Sequence, residues 1–152
     1  MSTPTSFLTE EMRKEAIGSK SDPLTLEVEK GAIIQFAQAI GDDNPIYNDE
    51  AAARKTSYGT LIAPPTFLRS MRAVRPIIPF DIPFDRLLDA SSDWEYFQPV
   101  RAGDRITANA QVTDINERTG RLGLMILITT LITYRNQFDE IAVTQTSTSI
   151  RY

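Results

Sequence analysis

The chain has 152 residues, 41% hydrophobic and 24% charged, with a formal net charge of −4, which is the make-up of one ordinary globular domain. It contains no cysteine and no histidine. Disulfides, thiolate chemistry, the usual zinc sites, a Ser-His-Asp triad and a Cys-His pair are therefore excluded, and no metal ligand set is expected. Any acid–base step must use carboxylates, lysines, tyrosines or water. Without a clustered basic tail, nucleic-acid binding is not expected.

Met1 to Thr9 lacks a basic segment followed by an apolar run, so no signal peptide is predicted. The longest apolar stretch, Leu122 to Tyr134, carries threonines and is too short to span a bilayer. A cytoplasmic protein without a membrane partner is the expectation, folded as a single domain over residues 1–152.

Residues Thr9 to Ile17 predict a short helix, with Thr9 as cap, Glu10 and Glu11 at its positive end and Gly18 as stop. Leu24, Leu26 and Val28 alternate as in a half-buried strand. From Gly31 to Ile40 the spacing becomes helical, with Ile33, Phe36, Ala37 and Ile40 on one face. A loop, Asp42 to Tyr47, and a small helix from Asp49 to Lys55 follow. Thr66 to Val74 predicts a third helix, apolar at Phe67, Leu68, Met71 and Val74 and ended by Pro76. Pro76 to Pro83 is apolar but too rich in proline for a helix or a central strand.

The remainder reads as strands: Ser92–Phe97, Arg105–Asn116, Leu122–Tyr134 and Ile141–Ile150, with turns at Thr119-Gly120 and Asn136-Gln137. Helices followed by long antiparallel strands imply an α+β domain, a curled sheet wrapped around a helix, and Thr66–Val74 is the candidate for that central helix.

Phe36-Ala37, followed by Gly41-Asp42-Asp43-Asn44-Pro45-Ile46-Tyr47, resembles the signature of the MaoC-like (R)-specific enoyl-CoA hydratases. That signature runs aromatic-Ala, then Gly-Asp-x-Asn-Pro-aliphatic-His. Phe36, Gly41, Asp42, Asn44, Pro45 and Ile46 meet it in register. Trp94 to Asp104 is similar to the family's strand entering a Gly-Asp turn, so the likeness runs from Val28 to the C-terminus. It implies a hot-dog fold, an acyl-CoA or acyl-carrier-protein thioester as substrate, no further cofactor, and a dimer or heterotetramer.

Two departures bear on chemistry. Tyr47 stands where the family has its catalytic histidine, and a phenol with pKa near ~10 is a poor base at neutral pH. Pro64 and Pro65 stand where the family has a His-Gly pair whose backbone N–H polarises the thioester carbonyl. Pro65 has no N–H to give, which leaves the N–H of Thr66 as a partial substitute. The pattern resembles the N-terminal, non-catalytic kind of MaoC-like domain. That resemblance implies a partner subunit carrying Asp-x-Asn-Pro-x-His, with this chain shaping the acyl pocket. Asp42 and Tyr47 then mark a degenerate catalytic position, and Asn44, Pro65, Thr66, Phe67, Ile78 and Phe80 are candidate substrate contacts.

Other readings stay open at this stage. Asp42 and Asn44 also fit a plain turn and cap, and Asp42 or Asp49 could activate water in a hot-dog thioesterase. A non-enzymatic thioester-binding module is a third reading. Arg69, Arg72 and Arg75 suit either a phosphate contact or a solvated face. The loop Ile77 to Phe84 suits an acyl tunnel, a subunit contact or core packing.

Overall fold

In the computed structural model, which describes residues 5–152, a five-stranded antiparallel sheet carries the fold in the order β1-β3-β4-β5-β2. The strands are β1 (Leu24–Glu27), β2 (Leu87–Tyr96), β3 (Arg105–Gly120), β4 (Gly123–Arg135) and β5 (Ile141–Arg151). Alternation does the sorting. Ile106, Ala108, Ala110 and Val112 of β3 face inward, as do Leu124, Ile126 and Ile128 of β4, as the two-residue side-chain period requires. A register shift between Val112 and Asp114 resets that parity. The odd-numbered Ile115 is thereby kept on the buried face, the usual service of a bulge. The β3–β4 hairpin closes between Gly120 and Gly123, with Gly123 at φ +86°, a conformation that favours glycine.

Among the described residues four α-helices lie before and beside the sheet: α1 (Glu10–Ala16), α2 (Lys30–Ala39), α3 (Pro45–Asn48) and α4 (Glu50–Arg54). Thr9 Oγ1 accepts the Met12 N–H at 3.1 Å and caps α1 as its sequence implies. Helix α2 buries Ile33 and Ala37, and Ile33 joins Val28, Leu61, Phe67, Ile106 and Tyr134 in the main core. A second core gathers Ala16, Val112, Ile115, Ile126 and Ile128. Phe80, Ile82 and Phe84 of the proline-rich loop close over it, which realises the core-packing reading of that loop. Phe7 meets Phe80 and Phe84 edge-on, at 6.4 and 6.1 Å between ring centroids. None of the helices among the described residues is long and apolar enough to cross a membrane.

The expected third helix is corrected. Only Phe67–Ser70 is helical, as a single 3-10 turn, and Thr66 before it sits at φ +69°. Pro64 and Pro65 restrict the entry, and Pro76 disfavours helical backbone at Arg75. Nine residues between such flanks are too few to propagate a helix, so the apolar positions are buried by an irregular segment instead. Phe67, Leu68 and Met71 are buried nonetheless, with Phe67 edge-on to Phe36 of α2 at 5.6 Å. The loop at Asp42 to Tyr47 is corrected as well, since its second half forms α3 with Pro45 at the first helical position. Strand β2 starts at Leu87, ahead of the expected Ser92.

Candidate functional site

The motif loop is held by its own polar side chains. Asp42 Oδ1 accepts the Asn44 N–H at 3.0 Å, and Asn44 Oδ1 accepts the Ile46 N–H at 3.2 Å. Asn48 Nδ2 donates to the carbonyls of Asp42 and Asn44 at 2.9 and 3.0 Å. Gly41, at φ +72°, ends α2 in the left-handed region that only glycine enters cheaply. Asp49 likewise caps α4, accepting from Ala52 N–H at 3.1 Å. The turn-and-cap reading of Asp42 and Asn44 is therefore realised in the backbone, and neither residue lines the two cavities described below.

Tyr47 is presented by α3 to a cleft of about 270 Å³. Burial raises its phenol above the ordinary value, and the nearby Asp42 carboxylate and Tyr58 push the same way. It stays protonated at neutral pH and has no base to offer. Opposite it the cleft is lined by Pro65, Thr66, Phe67, Trp94 and Tyr96. The Thr66 N–H, the one candidate donor after Pro65, already donates to the Tyr96 hydroxyl at 3.1 Å. Tyr47, Pro65, Thr66 and Phe67 line this one cleft. The donor that an oxyanion would need is absent at Pro65 and engaged at Thr66.

Tyr58, Trp94 and Tyr96 complete this cleft without having been singled out as site residues. The signal for two of them lay in β2, where Ser92, Trp94 and Tyr96 share one face at a spacing of two. Trp94 stacks between Tyr96 and Tyr134, at 6.3 and 6.1 Å with planes 10° apart in both pairs.

Beyond that aromatic row lies a larger cavity of about 380 Å³, between the inner face of the sheet and residues 68–78. Ile78 lines it. Phe80 lines neither space, because its ring is spent in the second core. In the cavity wall the Tyr134 hydroxyl donates to Gln145 Oε1 at 3.0 Å, and Gln145 Nε2 donates to Ser92 Oγ at 2.8 Å. Burial pushes Tyr134 up to about 12, against a smaller opposing pull from Arg69. Among the described residues there is no group of three or more carboxylates that could hold a metal ion.

Residues 15–145 match a family model described as FAS1-like, dehydratase domain region. A UPF0336 protein of Streptomyces avermitilis is 34% identical over 99 residues, covering 62% of this chain and 66% of that protein. A Thermomonospora curvata protein, "Probable enoyl-CoA hydratase alpha subunit", is 31% identical over 138 residues, covering 79% of this chain but 43% of its own length. The chain thus spans just under two thirds of the first relative and less than half of the second.

Among solved structures, the MaoC-like dehydratase of Rhodospirillum rubrum superposes with a TM-score of 0.72 at 24% identity, over 96% of this chain and 97% of that one. A chain of the HadBC (3R-hydroxyacyl-ACP dehydratase) complex of Mycobacterium tuberculosis gives 0.71 at 22%, over 89% and 96%. At these identities the likeness speaks to the fold, which is the hot-dog fold anticipated from the motif. With most of its length matched by the family model, the chain belongs to the FAS1-like dehydratase domain family.

Proposed function

We propose that this chain is the non-catalytic, pocket-forming subunit of an enoyl-thioester hydratase or 3-hydroxyacyl-thioester dehydratase, working with a partner that supplies the Asp/His dyad. The observation that carries the reading is a motif loop intact in its hydrogen bonds and empty of its chemistry. Asp42 and Asn44 still tie the turn together, while position 47 is a protonated phenol. Pro65 lacks an N–H, and the Thr66 N–H is taken by Tyr96. Reversible water addition needs a base to activate water and a donor to polarise the thioester carbonyl, and both are withheld here.

The substrate is an acyl-CoA or acyl-carrier-protein thioester, and no cofactor enters. A partner is supported by β2, ten residues long and exposed almost throughout. It lies at the sheet edge and so presents unpaired backbone groups that a second sheet can satisfy. Membership of HadBC in a complex, and the subunit name of the Thermomonospora curvata relative, agree with such an assembly.

The test measures hydration of a short trans-2-enoyl-CoA by the chain alone, by a subunit carrying the intact Asp-x-Asn-Pro-x-His pattern, and by the two together. Activity is expected only, or far more strongly, from the pair. Full activity of the isolated chain, unaffected by Asp42→Ala, would overturn both the role and the site. The thioesterase reading gains no support, since Asp42 and Asp49 serve a turn and a helix cap; release of free thiol from acyl-CoA by the isolated chain would revive it.

A further inference from the structure

One backbone conformation in the cleft wall is out of keeping with its residue. Thr66 stands at φ +69° and ψ 0°. Among the described residues the only other non-glycine with positive φ is Asp139, in the β4–β5 turn. A short carboxylate side chain tolerates that region, whereas a β-branched threonine crowds its own backbone there. Nothing local offsets the cost, since the Thr66 side chain makes no cap hydrogen bond to the 3-10 turn it precedes. Strain of this kind persists only where the surroundings over-determine it, and it gathers at clamps and switches.

Three things hold Thr66 in place. Pro64 and Pro65 restrict the chain before it, and Phe67 and Leu68 after it are anchored at 3% and 4% exposure. The third is the bond from its N–H to the Tyr96 hydroxyl at 3.1 Å. Tyr96 is 51% exposed, so water competes for that hydroxyl, and the bond is the exchangeable member of the three. A neutral hydrogen bond and a strained backbone are of the same order in energy, which leaves the turn close to balance. What the turn secures is a partition: Leu68 is the one residue found in the walls of both the cleft and the larger cavity.

We propose that Tyr96 is a latch and Thr66 a strained hinge, and that together they work Leu68 as a gate between the two spaces. While the hydroxyl holds the Thr66 N–H, Leu68 stands between the cleft of about 270 Å³ and the cavity of about 380 Å³. When the bond breaks, Thr66 relaxes to negative φ, the turn that carries Leu68 shifts, and the two spaces join. The same event frees the Thr66 N–H. Tyr96 is the last residue of β2, at the edge of the sheet, so the latch is tied to that edge and not to the core. It is a property of the chain alone and stands whether or not a partner supplies the base.

Tyr96→Phe keeps the ring that stacks on Trp94 at 6.3 Å and removes only the hydroxyl. The full chain is compared in four forms: native, Tyr96→Phe, Thr66→Gly and the double variant. Amide hydrogen exchange is followed at Phe67, Arg69 and Met71, whose N–H groups bond to the carbonyls of Pro64, Thr66 and Leu68. Rates are read relative to Ile126 in the core of β4, which controls for the stability of the whole fold. Relaxation dispersion of the Leu68 methyl groups reports the gate itself, on the μs–ms timescale. Tyr96→Phe is expected to speed exchange of the turn amides about 10-fold and to raise the dispersion at Leu68.

Glycine adopts positive φ without strain, so adding Thr66→Gly to Tyr96→Phe is expected to restore native protection and quiet the Leu68 methyl groups. A turn that merely lost a hydrogen bond would behave in the opposite way, because the extra freedom of glycine would loosen it further. Unchanged exchange in Tyr96→Phe, a further loss of protection in the double variant, or Leu68 methyl groups that stay silent while the turn amides exchange overturns the proposal.

Discussion

Replacing Tyr47 by histidine restores the family motif in letters, and the geometry says that this single change is not enough. A positioned general base is worth about 10²–10⁴-fold in rate, and one oxyanion donor about 10²–10³-fold. The native cleft lacks both, because burial and Asp42 keep the Tyr47 phenol protonated and Pro65 has no N–H. Tyr47→His recovers at most the first factor, leaving a deficit of about 10²–10³-fold, or roughly 3–4 kcal/mol of barrier. Adding Pro65→Gly returns an N–H at the start of the 3-10 turn.

The assay follows loss of a short trans-2-enoyl-CoA with the isolated chain in four forms: native, each single variant and the double. The expected order is native and Pro65→Gly at background, Tyr47→His above it by at most the general-base factor, and the double variant about 10² above Tyr47→His. If Tyr47→His alone matches the double, the donor is not what Pro65 removes. If the native chain keeps pace with the double, the site has not lost its chemistry at all.

Three further outcomes follow from the packing. Phe67→Ala empties a site 3% exposed and breaks the edge-on contact with Phe36; a loss of about 3–5 kcal/mol is expected, seen as a drop in melting temperature on the order of 10 °C. Glu117, on β3, accepts from Ser6 Oγ and from the Phe7 and Leu8 N–H groups, and these bonds hold its carboxyl below the usual value. Its contribution is present above the ordinary carboxylate pKa and is lost as pH falls through the lowered one. Glu117→Gln should therefore cost less than about 1 kcal/mol at neutral pH, exposure limiting it, and the gap to the native chain should vanish in acid melts. Tyr134, raised to about 12 by burial, stabilises the fold fully below the ordinary phenol value of 10.0, an increment lost as pH climbs toward 12. Absorbance titration should find a phenol ionising near 12 that Tyr134→Phe removes, and that substitution, which strips Gln145 Oε1 of its donor, should cost about 1–3 kcal/mol.

Much of this was legible in the sequence because it is local. The Thr9 cap, the Gly41 stop and the alternation of β3 and β4 are each written within a few residues of where they act. Thr66–Val74 misled because its apolar spacing satisfies burial equally well as an irregular segment, and the prolines at 64, 65 and 76 decide against the helix. The early part of β2, Leu87 to Ser91, has none of the β-branched residues that announce a strand; its pairing with β5 imposes the conformation. The Tyr96 hydroxyl meets the Thr66 N–H across thirty residues of chain, a distance over which no short motif speaks.

The motif residues that persist are those with a second, structural occupation. Asp42 and Asn44 each take a backbone N–H into the turn, Gly41 supplies a positive φ, and Pro45 opens α3. Removing any of them costs the loop its shape, by about 0.5–2 kcal/mol for a cap alone. Position 47 carries no such duty, since its backbone N–H bonds to the Asn44 carbonyl whatever side chain it bears. Under the proposed role, in which a partner supplies the base, position 47 is therefore the motif position free to change. Tyr47 fills that position as a partly buried aromatic against the main core, so the exchange adds apolar contact where a base would have required a polar environment. The same reasoning applies at Pro65. A proline there stiffens the entry to the 3-10 turn at the expense of an N–H that only a catalytic site would use.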